Sequence, residues 1–278
     1  MFSWLFSGRR RRKLLAEPVP DDWRQIVSRN VGIFALLPAP QQQRLLSASR
    51  VIAAERHWVG CRGLEVTDEV KATIAAQAAI LLLGVEGYYF DRLPAILIYP
   101  GAFRRPHSSD DLTVDEEASA LGESWQGGNI VLSWKSALAG GRDPHDGQNV
   151  VLHEFAHHLD SLDGEAGGHP PQPSRAAAAK WDRVIHAEYD RLVQALRTGE
   201  PTLLDPYGAE SESEFFAVAT ETFFERPGEM LSDHPALYEI LSHFYHVDPA
   251  AWYSGARSKS PTASKTCSAR VKRRPPPE

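Results

Sequence analysis

The sequence predicts an α+β fold, mainly helical with one small twisted sheet, and three observations carry that expectation. Two short apolar runs of strand type, residues 95–99 between Pro94 and Pro100 and residues 129–134 after Gly127 and Gly128, stand among segments of another kind. Those other segments, 41–54, 67–83, 176–197 and 211–225, repeat apolar residues at helical spacing. The chain has 278 residues, 42% of them hydrophobic and 24% charged, which suits one core-bearing domain of roughly 230 residues plus tails.

Taken in order, the front part, residues 19–90, reads as helical. Thr67 opens the segment 67–83 as an N-cap, and Asp68 and Glu69 favour the positive end of that helix dipole. The apolar run 74–83 is interrupted by Gln77 and closed by Gly84, well short of the ~18 residues a membrane span needs. The strand signals AILIY and NIVLSW follow, and then a helix over 146–162. Asp146 is its expected N-cap, Val150, Leu152, Phe155, Leu159 and Leu162 supply its apolar positions, and Gly164 is its stop. The last long helix ends before Pro227, and its Phe215, Phe216, Phe223 and Phe224 are expected in the core. There is no internal repeat.

Charge is strongly segregated. The formal net charge is −6, yet residues 1–16 carry Arg9, Arg10, Arg11, Arg12 and Lys13 and no acid, while residues 257–278 carry seven cations against Glu278. The body between is therefore acidic and repels nucleic-acid phosphates, which argues against direct nucleic-acid binding by the folded part. Residues 1–18 are expected as a solvated basic arm, with weak contact to an anionic membrane surface through Trp4 and Phe6 as the alternative. Residues 254–278, basic and ending in three prolines before Glu278, are expected as a disordered tail, leaving 19–253 as the domain. The apolar residues of the start precede its cations, the reverse of a secretory signal. With only Cys61 and Cys267, no disulfide framework is available, and a reducing, cytoplasmic setting is expected.

The chemistry lies in HEFAH, residues 153–157, inside the expected helix 146–162. Side chains four apart on a helix stand one above the other, so the imidazoles of His153 and His157 can grip one zinc ion. Glu154, one step round, is placed to take a proton from a water at the metal rather than to bind the ion. His158 points away from this face and is expected towards solvent. A third ligand must come from elsewhere, because catalytic zinc usually takes three protein ligands. Asp163 has the spacing of one group of zinc peptidases, but that group needs a glycine where Asp160 stands. Glu214 and Glu221, seven apart on the late helix, are the other sources; Glu214 is favoured, with Glu221 orienting a ligand histidine. Against Glu214, Ser211 and Glu214 form an S-x-x-E capping box that explains the glutamate without a metal. Tyr207, in the turn-forming run DPYG, can project a phenol over the open metal position and stabilise an oxyanion.

HEFAHHLD, together with GESWQGGNIVLSW, ILIYP and DPYGAESESEFFAVATETFF, resembles the Mlc titration factor A family of zinc-dependent peptidases over about residues 20–250. The resemblance implies a zincin-like, more narrowly gluzincin-like, fold similar to the catalytic domain of anthrax lethal factor, and a cytosolic aminopeptidase activity on peptide substrates. It implies one Zn2+ per chain held by His153, His157 and Glu214, with Glu154 as general base and Tyr207 assisting. It also implies a rival reading: family members in enterobacteria bind the repressor Mlc and draw it off DNA, so the zinc fold could serve mainly as scaffold for a regulatory binding protein. The strand 130–134 is the expected edge along which an extended substrate would add.

Overall fold

The computed structural model describes residues 3–101 and 128–259. Three short strands, β1 (Trp58–Gly60), β2 (Ile96–Tyr99) and β3 (Ile130–Ser133), pair in parallel in the order β1-β2-β3, with Ile96 opposite both Trp58 and Ile130. Parallel neighbours need a crossover, and α5 (Asp68–Ile80) supplies it between β1 and β2. Thr67 caps α5 as expected, its side chain accepting a hydrogen bond from the backbone N–H of Val70. Ala72, Ile74, Ala75, Ala76, Ala78 and Ala79 are fully buried, so α5 is a central helix covered on all sides. Gln77 survives there because its Nε2 donates to the carbonyls of Thr73 and Ala137. α2 (Asp21–Asn30) and α4 (Ala39–Glu55) pack against α5, and α3 (Gly32–Leu36) joins those two, together the helical front part the sequence predicts.

The strand expected over 129–134 stops at Ser133. The Ser133 hydroxyl accepts from the backbone N–H of Ser136 and so starts a further helix, α6 (Trp134–Arg142), absent from the sequence reading. Gly140 and Gly141 weaken its helical signal, but a Cβ on Gly140 would lie 2.7 Å from the carbonyl oxygen of Gln148, so the close passage of the chain there requires glycine.

The motif helix, α7 (Val150–Asp160), is shorter than the expected 146–162, and its cap is Asn149 rather than Asp146. Asn149 Oδ1 accepts from the N–H groups of Val151 and Leu152, whereas Asp146 closes a tight turn by accepting from Gln148 N. A 3-10 turn, Ser161–Asp163, follows α7, and Gly164 at φ 100° ends it, as expected. Next come α8 (Arg175–Thr198), a 3-10 turn at Pro206–Ala209, and α9 (Glu212–Glu225), capped by Ser211 and ending before Pro227. The helices α10 (Pro227–Asp233), α11 (Pro235–Tyr245) and α12 (Pro249–Lys259) each begin at a proline, where the missing N–H costs nothing. All four phenylalanines of α9 are buried as expected; Phe223 and Phe224 pack on Tyr245, and Phe216 meets Trp181 edge-on.

Both ends depart from expectation. Within the expected solvated arm, Ser3–Ala16 forms α1, and Arg11 pairs with Glu55 and Asp91 while lying 4.7 Å over the Tyr89 ring. Counter-charge from residues distant in sequence, invisible in a local reading, draws this cation onto the domain. Residues 254–259 belong to α12 rather than to a tail, and residues 260–278 lie outside the described part, as does most of GESWQGG.

Candidate metal centre

Two helices build the site: α7 packs between β3 and α9, so that residues 153 and 157 of one helix face residues 214 and 221 of the other. The start of α7 is bolted to α9 through its cap. Asn149 donates from its backbone N–H to Glu221 Oε2 and from Nδ2 to Glu225 Oε1, and Gly147 N–H donates to Glu225 Oε2. Burial, reinforced by Asp146 and Glu221, pushes the Glu225 carboxyl up to about 9 against the hydrogen bond from Asn149.

His153, His157 and Glu214 converge. His153 Nε2 and His157 Nε2 lie 3.2 Å apart, and Glu214 Oε2 is 3.0 Å from the first and 3.2 Å from the second. A tetrahedral zinc ion with donors at about 2.0–2.1 Å holds those donors about 3.3–3.4 Å apart, so this near-equilateral triangle has the right size for such an ion. The donor chemistry fits as well, since imidazole and carboxylate both suit zinc. The Glu214 backbone N–H donates to the Ser211 hydroxyl, while its carboxylate faces the two histidines.

Each imidazole is held from behind. His153 Nδ1 lies 2.8 Å from Glu221 Oε1, and His157 Nδ1 lies 3.1 Å from Ser213 Oγ, which donates to Asp160 Oδ2 at 3.0 Å. With Nδ1–H donating outward, each ring presents the lone pair of Nε2 to the centre of the triangle. The site draws positive charge. Burial alone would lower the His153 pKa, but the Glu214 and Glu221 carboxylates outweigh it and push the imidazolium up to about 9. Burial likewise works against the Glu214 carboxylate, yet the two histidines hold it well below the usual range. A proton and a divalent ion compete for the same place.

Tyr207 stands on the 3-10 turn Pro206–Ala209, its ring 6.0 Å from that of His153. Glu154 is half-buried on α7. Asp163 is exposed and accepts a hydrogen bond from Glu165 N–H, away from the cluster. His158 is a correction: it is only 9% exposed, packs edge-on against Phe90 and bonds to Tyr88 Oη through Nε2. Ser213, Asp160, Asn149 and Glu225 belong to the site's support and were missed. Their positions carry no spacing signal for these roles, and Asp160 enters the sequence reading only as the place where another peptidase group has glycine.

Comparison with known proteins places the chain in a family. Residues 5–246 match the family described as glucose-regulated metallo-peptidase M90, a span that includes part of the basic start. A Synechocystis protein designated slr2042 is 37% identical over 86% of this chain and 89% of its own length. Proteins named Mlc titration factor A from Yersinia pestis and Yersinia pseudotuberculosis are each 30% identical over 90% of this chain and 92% of theirs. With nearly the whole described chain matched and the family's expected metal met by a fitting donor triangle, this protein belongs to the glucose-regulated metallopeptidase family M90.

Proposed function

We propose that the protein is a zinc-dependent peptidase of aminopeptidase type, acting in the cytoplasm. The observation that carries this is the donor triangle of His153, His157 and Glu214 with each imidazole fixed from behind. Zinc held there supplies Lewis acidity, which lowers the pKa of a water and polarises a peptide carbonyl. The Glu154 carboxylate accepts the proton of the attacking water and then delivers it to the leaving amine. The Tyr207 phenol donates to the carbonyl oxygen as negative charge develops on it. Glu221, and Ser213 backed by Asp160, keep the two Nε2 atoms aimed. β3 stands at one edge of the sheet among the described residues, but all four of its residues are buried, so the edge pairing expected from sequence finds no open strand there.

The test is Glu154→Gln in the full chain, assayed on a panel of amino-terminal chromogenic amides with zinc content measured in parallel. Turnover should fall by at least ~10²-fold while bound zinc is unchanged. Undiminished turnover would remove Glu154 from the chemistry, and cleavage of amino-blocked peptides at equal rate would remove the aminopeptidase assignment.

The names of the Yersinia relatives favour a second role, capture of a repressor of the Mlc type. Glu154→Gln separates the two, since it should leave such capture intact while abolishing hydrolysis.

A further inference from the structure

A second group of ligating side chains lies beside the start of α9. His169, His186 and Glu212 each present one ligand atom, all within 4.8 Å of one another. His169 Nε2 is 2.9 Å from Glu212 Oε2, and His186 Nδ1 is 3.3 Å from Glu212 Oε1. Behind His169, Nδ1 lies 2.8 Å from Asp182 Oδ1, which repeats the arrangement of Glu221 behind His153. The three residues come from separate stretches: the loop after Gly164, the middle of α8 and the first turn of α9.

The loop that carries His169 is held in place by its neighbour. Gly168, at φ +81°, donates its N–H to Asp160 and accepts from Trp181 Nε1, and a Cβ there would lie 2.3 Å from the Glu212 carbonyl oxygen. A proton can fill this place, with a doubly protonated His169 donating to both Asp182 and Glu212; a divalent cation between His169 Nε2, His186 Nδ1 and Glu212 competes for the same donor set, with His169 Nδ1–H still donating to Asp182 while Nε2 ligates.

We propose that His169, His186 and Glu212 form a second site for a divalent transition metal of the zinc class, oriented by Asp182 and open to water at its remaining positions. Two imidazoles and one carboxylate suit zinc and its neighbours rather than magnesium or calcium. The site is more exposed than the first, His186 being 60% accessible, so it is the weaker of the two. Its ion ties α8 and the loop to the turn of α9 from which Glu214 projects.

The experiment titrates Zn2+ into the full chain, stripped by chelator, against a chromophoric zinc indicator. Wild type should take up two ions in two steps, His186→Ala only the tighter one, and Glu214→Gln only the weaker one. Asp182→Asn should keep both but bind the second roughly 10- to 100-fold more weakly. His186 is exposed, so its variant tests the ligand without endangering the fold. A wild type that binds a single ion lost in Glu214→Gln overturns the second site and leaves the proposed function standing. Two steps of unchanged affinity in His186→Ala overturn it as well, and a chain that binds no ion overturns both.

Discussion

Glu221 illustrates what a single side chain contributes without touching substrate. Its two oxygens accept from His153 Nδ1 and from the backbone N–H of Asn149, so it aims the ligand ring and anchors the helix that carries it. Glu221→Gln should weaken zinc binding by about 10- to 100-fold, read by competition with an indicator, while far-UV circular dichroism stays unchanged. Equal affinity in the variant would leave Glu221 a packing residue only. At this scale the sequence is legible wherever roles follow from spacing along one helix. His153 and His157 meet because they are four apart, and Glu221 shares a face with Glu214 because they are seven apart. Ser213 and Asp160 were not legible, because their hydrogen bond joins positions 53 apart in sequence and follows from packing alone.

The motif helix has two faces with opposite electrostatics. One collects carboxylates around His153; the other buries His158 against Phe90 and Tyr88. Burial, aided by Arg56 and Arg92, lowers the His158 pKa to about 4, so the ring is neutral in the folded protein at neutral pH. An unfolded chain binds this proton near pH 6.5, so the stability contribution is whole above that value and is lost as pH falls towards 4. In chelator-treated protein, urea unfolding should therefore lose up to roughly 3 kcal/mol from this group over that window, and His158→Gln should flatten the slope accordingly. An identical slope in the variant would place the proton elsewhere. Helix positions were legible from apolar spacing, and Thr67 and Ser211 mark their starts as expected. The start of α7 was misread because Asp146 and Asn149 are both good caps on residue type, and only the partners of Asn149 on α9 select between them.

For the molecule as a whole, the metal centre joins α7 and α9, which meet nowhere in sequence, so an ion there stabilises the entire fold by mass action. At free zinc about 1,000 times its dissociation constant the gain is roughly 4 kcal/mol, or roughly 8–16 °C in Tm for a domain of this size. Chelation should lower Tm by that order in wild type, and by clearly less in a Glu214→Gln, His186→Ala double variant; equal shifts in both would contradict a ligand-held ion. The α+β class and the helical front part were legible from pattern, and no helix among the described residues is long and apolar enough to cross a membrane. The fate of the basic start was not legible, because the acids that hold Arg11, Glu55 and Asp91, lie far along the chain.

The most direct test of the central claim is an anomalous difference map, collected at the zinc edge, from crystals of the zinc-loaded protein. A peak is expected about 2.0–2.2 Å from Nε2 of His153, Nε2 of His157 and a carboxylate oxygen of Glu214. A map without density inside that triangle, in crystals shown by their fluorescence to contain zinc, would contradict it.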